Sequence, residues 1–277
     1  MTELISENVM KNNAARHILS ISGGKDSAAL AVYLRDKIPN IEYVFCDTGE
    51  ELDETYAYLA RLEAYLGRPI TVLKQDGRDF RHCLVIYNNY LPSPQMRWCT
   101  KHLKIIPFEK YVRDDYVINY IGIRADEDRD GYISRKPNIT ARYPFKEDGI
   151  IKEDVFRILN EAGLGLPEYY KWRSRSGCYF CFFQQKIEWV GLLENHPELF
   201  KRAMSYEKTD IESGERFTWA DNESLEELSR PERVAQIKAE HKERIERRPK
   251  KAKGLLIDIF AEMADEEDER ACFICSI

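Results

Sequence analysis

Short apolar runs alternate with helical periods along the first half of the chain. His17-Ile18-Leu19-Ser20-Ile21 reads as a buried strand, and Ala28 to Leu34 behind it reads as a helix. Ile41 to Cys46 is a second strand. A helix follows from Tyr56 to Leu66, and Gly67 stops it. Pro69 to Leu73 and Tyr116 to Ile123 supply a third and a fourth strand. Past residue 140 the pattern changes. Asp154 to Leu159 has helical spacing and ends at Gly163, and Leu166 to Phe183 is aromatic, glycine-rich, arginine-rich and irregular. Glu188 to Met204 is helical again, and Glu223 to Arg248 is a charged helix pair broken at Pro231. There is no internal repeat.

Strands alternating with helices imply a doubly wound α/β fold on a mainly parallel sheet, joined by right-handed crossovers. The expected division is a nucleotide-binding α/β domain over residues 1–145 and a cysteine-containing, mostly helical region over residues 146–277. Ligands of such sheets lie beyond the carboxyl ends of the strands. Three polar clusters fall there: Ser22-Gly23-Gly24-Lys25-Asp26-Ser27, Asp47-Thr48-Gly49-Glu50, and Arg124 to Arg129.

The first cluster joins a strand to a helix, which is the arrangement of a phosphate cradle. Two glycines admit an anion close to the backbone, and the first helical turn points its N–H groups and dipole at that anion. Ser22 and Ser27 add hydroxyl donors, and Lys25 adds a positive charge. Asp26 cannot bind phosphate directly, so its expected partner is Mg²⁺ bridging phosphate oxygens.

The chain has 277 residues, 43% of them hydrophobic, enough for one sizeable α/β core. A net charge of −6 gives no global signal for a polyanion partner. No run approaches the roughly 18 apolar residues that cross a membrane. Met1 to Asn8 lacks the basic-then-apolar order of a signal peptide, so a cytoplasmic location is expected. Lys238 to Lys253 is basic and Asp265 to Glu269 is acidic; solvated faces and a polyanion patch both remain open for them. Oligomeric state is not encoded in any pattern we find.

Seven cysteines in a reducing compartment point to metal ligands or reactive thiols. Cys178-Tyr179-Phe180-Cys181 and Cys272-Phe273-Ile274-Cys275 are two C-x-x-C motifs, and Cys99 lies in Arg97-Trp98-Cys99-Thr100. Cys46 and Cys83 read as buried small hydrophobes. Zinc and an iron–sulfur cluster take the same thiolates, so spacing does not separate them.

The Ser22–Ser27 loop lacks Walker A spacing and resembles the PP-loop of N-type ATP pyrophosphatases. Asp47-Thr48-Gly49, Arg97-Trp98-Cys99 with Lys104 and Pro107, Gly122-Ile123-Arg124 with Arg129, and Cys178-x-x-Cys181 extend the likeness. In this order they resemble the phosphoadenosine-phosphosulfate reductase-like branch, and most closely the ATP-pyrophosphatase component of DNA phosphorothioation systems. The resemblance implies an adenine nucleotide alpha hydrolase-like fold that splits ATP into AMP and pyrophosphate and adenylates an acceptor for sulfur incorporation. DNA is the implied acceptor, and a cysteine desulfurase is the implied partner and sulfur source. It implies Lys25 and Asp26 in catalysis, with Arg124 and Arg129 clamping the α-phosphate or the activated substrate; ion pairing with Asp126 or Asp128 is their alternative. Asp47 would bind ribose or metal, or serve as a strand-end turn residue. Cys99, Cys178 and Cys181 are expected to converge on a [4Fe-4S] cluster, with Cys275 as a candidate fourth ligand and zinc as second choice. The Glu-Cys-Gly-Leu-His tail of true reductases is missing. tRNA thiolation, sulfonucleotide reduction and a non-catalytic nucleotide-binding scaffold are the competing readings.

Overall fold

A computed structural model of the chain describes residues 15–75, 77–128, 134–209, 216–220 and 223–247. Five parallel strands form the sheet: β1 (Arg16–Ile21), β2 (Glu42–Cys46), β3 (Ile70–Leu73), β4 (Val117–Tyr120) and β5 (Ile139–Arg142), in the order β3-β2-β1-β4-β5. The expected doubly wound sheet is present. It has one strand more than the apolar runs indicated, because β5 is only four residues long and its pattern is mixed. The fourth strand is also shorter than its apolar run: Ile121-Gly122-Ile123 leaves the ladder and becomes part of the loop beyond β4.

Both faces are covered because side chains alternate along each strand. Leu19 and Ile21 of β1 pack with α1 (Lys25–Leu34), α2 (Asp53–Leu66) and α7 (Lys152–Glu161), through Ala28, Leu62, Val155 and Leu159. Ile18 of β1 points to the other face, with Val44, Phe108 and Val112. Phe108 and Val112 belong to α5 (Ile106–Val112). This helix continues α4 (Trp98–Thr100) through a π-helical turn, Lys101–Ile105. Between β3 and α4 lies α3 (Phe80–Ile86), which the periodicity did not reveal, and α6 (Pro144–Glu147) follows β5.

A third core is aromatic. Phe80 meets Trp98, Phe180, Tyr206 and Trp219 with ring centroids 4.2 to 6.3 Å apart. Around it stand α8 (Lys186–Asn195), α9 (Pro197–Met204), the short hairpin β6 (Lys208–Thr209) and β7 (Arg216–Phe217), α10 (Leu225–Leu228) and α11 (Pro231–Glu246). Pro197 divides the helix expected over 188–204, and Pro231 opens the last described helix. Proline is tolerated at a first helical turn but not inside. The irregular stretch expected over 166–183 holds one 3₁₀ turn, Glu168–Lys171. Cys46 and Cys83 are buried, and burial pushes the Cys46 thiol up to about 12. No helix among the described residues is long and apolar enough to cross a membrane.

Candidate functional site

The chain runs from β1 out to β3 on one side, then returns to place β4 on the other side of β1. The loops leaving β1 and β4 therefore diverge at a topological switch point, where open α/β sheets bind ligands. Ser20 Oγ donates to Asn119 Oδ1 at 2.9 Å, tying the two strands together just before these loops.

The loop after β1 is held closely. Gly23 has φ +77°, and a Cβ there would stand 2.5 Å from Thr55 Cγ2 of α2. Gly122, in the loop after β4, would place a Cβ 2.9 Å from the Asp26 carbonyl oxygen. Glycine at 23 thus lets the loop after β1 lie against α2, and glycine at 122 lets the loop after β4 approach the start of α1. Ser27 Oγ accepts from the Ser22 N–H at 3.1 Å and lies 3.1 Å from Ser22 Oγ. Gly24 caps α1, so the first-turn amides open toward the loop.

The charges form one network. Lys25 is fully buried, with Nζ 3.3 Å from Asp26 Oδ2 and 5.3 Å from the Tyr170 ring centroid. Arg124 is 1% exposed and reaches Asp26 at 3.0 Å, Asp126 at 3.0 Å and Glu127 at 3.1 Å. Arg124 thus makes the ion pair with Asp126 that was its alternative, and also touches the loop through Asp26. Arg129 lies outside the described residues.

Sequence reasoning missed the residues that support the loop from the irregular segment. The Tyr169 hydroxyl donates to the Gly23 carbonyl at 2.9 Å, and the Tyr170 hydroxyl accepts from the Lys25 N–H at 3.3 Å. The Ser176 hydroxyl donates to Ser22 Oγ at 3.2 Å. Paired tyrosines in a stretch with no helical or strand period were the available signal.

Asp47, at the end of β2, accepts from the Gly49 N–H at 2.8 Å and the Tyr56 hydroxyl at 2.7 Å, and pairs with Lys74 at 2.8 Å. Burial alone would raise its pKa; the Lys74, Gly49 and Tyr56 bonds outweigh burial and hold it below the usual carboxylate range. Oδ1 takes both the Gly49 and the Tyr56 bonds, and Oδ2 takes the Lys74 ion pair.

The C-x-x-C segment lies across the ends of β1 and β2. Arg173 donates to the Gly177 and Cys178 carbonyls at 3.0 and 2.8 Å, and the Tyr179 N–H donates to the Glu50 carbonyl at 2.9 Å. Cys178 Sγ stands 3.2 Å from Thr48 Oγ1 and 3.8 Å from Glu51 Oε1. Burial, and then the Glu51 carboxylate, raise the Cys178 thiol well above its ordinary value.

The expected convergence of Cys99, Cys178 and Cys181 on one metal finds no support in this geometry. Among the described residues, no group of three or more His, Cys, Asp or Glu side chains is placed to hold a metal ion. Cluster and zinc ligation both need thiolates held together. Cys178 Sγ lies against Thr48 and Glu51, and both Cys178 and Cys99 pack at the edge of the aromatic core. Cys272 and Cys275 lie outside the described residues. Among the described residues, the cysteines form no ligand set for a [4Fe-4S] cluster or a zinc ion.

Glu51 is buried, accepts from the Thr48 hydroxyl at 2.9 Å, and has no partner for Oε2. Burial raises its pKa. A raised carboxyl contributes stability that is complete below the unfolded-state pKa and lost as pH rises toward the folded value. Glu51→Gln keeps the acceptor and cannot ionise. Its melting temperature is expected to match or exceed that of the parent at neutral pH, with less decline between acidic and neutral buffers. A variant weakened more at pH 7 than at pH 5 would show instead that an ionised Glu51 stabilises the fold.

Residues 16–144 match the phosphoadenosine phosphosulfate reductase domain family. An uncharacterized protein of Methanocaldococcus jannaschii is 26% identical over 199 residues, which cover 67% of this chain and 40% of that protein, so the chain spans two-fifths of that relative's length. An uncharacterized nin region protein of Escherichia phage lambda is 26% identical over 221 residues, covering 68% of this chain and 73% of that protein. Among solved structures, phosphoadenylyl-sulfate reductase from Candida auris, in a phosphate complex, aligns at a TM-score of 0.48 and 13% identity, covering 60% of this chain and 82% of its own.

Proposed function

We propose that the chain is an ATP pyrophosphatase that adenylates an acceptor for sulfur incorporation. The acceptor is the DNA backbone, and a cysteine desulfurase supplies the sulfur. The reading rests chiefly on the junction at the switch point, where Arg124 bonds Asp26 across the loops after β1 and β4, above a helix start built from Ser22, Gly23, Gly24 and Ser27.

In this reading the α1 amides, the Ser22 and Ser27 hydroxyls and Lys25 hold the β- and γ-phosphates, which leave as pyrophosphate. Arg124 has a planar fork suited to the α-phosphate. An acceptor oxygen attacks the α-phosphorus, the bond to the bridging oxygen breaks, and the acceptor carries AMP as a leaving group for incoming sulfur. The Asp26 carboxylate is the hard oxygen donor that Mg²⁺ takes, and it is partly open to solvent. Mg²⁺ there would offset charge on the departing phosphates. Before nucleotide binds, Lys25 and Arg124 neutralise Asp26; phosphate oxygens would take over both cations.

Incubation with ATP, Mg²⁺ and a phosphate-bearing acceptor is expected to yield AMP and pyrophosphate, resolved by chromatography. ADP with orthophosphate would overturn the assignment. The domain match over residues 16–144 favours a second reading, reduction of a sulfonucleotide. Sulfite release from phosphoadenosine phosphosulfate with a thiol reductant would select it.

A further inference from the structure

A cleft of about 250 Å³ opens between the 3₁₀ turn that ends at Lys171, helix α8 and the second half of α11. None of its lining residues belongs to the loop after β1 or to the loop after β4. Lys238 of α11 pairs with Glu194 of α8 at 2.6 Å, and Arg244 donates to Gln185 at 2.8 Å, so α11 is tied down along the cleft. Trp172, Ile187, Val190 and Ile245 supply its apolar wall. Gly191 of α8 makes room for the indole, since a Cβ there would stand 2.7 Å from Trp172 Cε3. Glycine inside a helix costs stability, and here its empty position is filled by the ring.

Arg173 lines the same cleft and is 2% exposed. Among the described residues it forms no ion pair: its terminal nitrogens donate to the Gly177 and Cys178 carbonyls, and its Nε is buried without a partner. Glu188, also on the cleft wall, is taken up elsewhere. It accepts from the Ser174 N–H and hydroxyl, each at 2.7 Å, and from the Gln185 N–H at 2.8 Å. The Glu51 carboxyl feels the Arg173 charge, but burial pushes it toward its neutral form. A buried guanidinium held only by peptide carbonyls carries a large desolvation cost. An oxyanion entering the cleft would offset that cost, because guanidinium donors match carboxylate and phosphate oxygens. The cleft is smaller than the roughly 300–1,000 Å³ of drug-sized sites, so it suits a small molecule with one apolar body and one oxyanion.

We infer that this cleft binds a small apolar molecule bearing a carboxylate or a phosphate, with Arg173 as the charged anchor. The test is a ligand-observed NMR titration of the full chain with benzoate, phenyl phosphate, benzyl alcohol and inorganic phosphate. The tighter of the two aromatic anions names the oxyanion. It is expected to bind at least about tenfold more tightly than benzyl alcohol, the factor set by one charge-assisted bond. It should also bind more tightly than inorganic phosphate, which lacks the apolar body. Ile245→Trp fills the cleft from a half-buried position and should abolish that binding; Ile187→Trp does the same from α8 and decides the matter if the first variant does not fold. Arg173→Gln keeps a donor for the carbonyls and loses the charge, so a folded variant should no longer prefer the anion over benzyl alcohol. The site is overturned if neither aromatic anion binds, or if benzyl alcohol or inorganic phosphate binds as tightly as they do. Parent-like binding by the folded tryptophan variant overturns it as well, and an unchanged preference in folded Arg173→Gln removes Arg173 as the anchor. No arm depends on ATP cleavage, so the outcome is independent of the adenylating function.

Discussion

Replacing Arg124 with alanine is expected to destabilise the chain by about 3 kcal/mol, the low end of the cost of removing one partner from a buried ion pair. Arg124 is 1% exposed, and its guanidinium is bonded to Asp26, Asp126 and Glu127. Alanine would leave three carboxylates close together with their shared counter-charge gone. Asp126 is the most exposed of the three and contributes least, because water screens it. For a chain of this size the loss corresponds to a fall in melting temperature of roughly 6–12 °C. Pyrophosphate release should fall by at least about a hundredfold, as it does when one preorganised donor to a developing anion is removed elsewhere. Arg124→Lys retains the charge and should recover part of the stability without the bidentate geometry. A fully stable Arg124→Ala protein would mean that the loops after β1 and β4 are joined by the close approach of Gly122 alone.

Asp26→Ala should separate binding from turnover. Asp26 neutralises both Lys25 and Arg124 in the ligand-free chain, at 3.3 and 3.0 Å. Without it, two buried cations lack a common partner, so the nucleotide-free protein should melt earlier and gain more from added ATP. Nucleotide affinity measured without Mg²⁺ should be held or increased, since phosphate no longer competes with a carboxylate. Turnover should fall by at least about a hundredfold, because the hard oxygen donor for the metal is lost. Parent-like turnover by Asp26→Ala would remove Asp26 from the reaction. Loss of affinity together with turnover would make its role one of holding the loop.

Much of the sheet was legible because its signals are local. Strands β1, β2 and β3 are short runs bounded by polar or glycine residues; the buried positions of β1 and β2 follow those runs closely, whereas in the edge strand β3 only Ile70 is buried. Strand β5, with the sequence Ile139-Thr140-Ala141-Arg142, carries too few apolar positions to announce itself; pairing along β4 makes it a strand. Helix α3 has seven residues, and its existence depends on Phe80 entering the aromatic core. Tertiary contact overrides weak propensity in both.

The site divides in the same way. The loop Ser22-Gly23-Gly24-Lys25-Asp26-Ser27 was readable because a cradle between a strand and a helix is built from consecutive residues. Its convergence with Arg124 was readable from strand–helix alternation, which places strand ends together. The packing of Tyr169, Tyr170 and Ser176 against that loop, and the docking of Cys178 on Thr48 and Glu51, join segments about 130 residues apart or more. No local period encodes such contacts. The C-x-x-C spacing described two thiols that could share a metal, but whether they do depends on what surrounds them. Cys178 comes to lie against Thr48 and Glu51 only when the segment crosses the ends of β1 and β2.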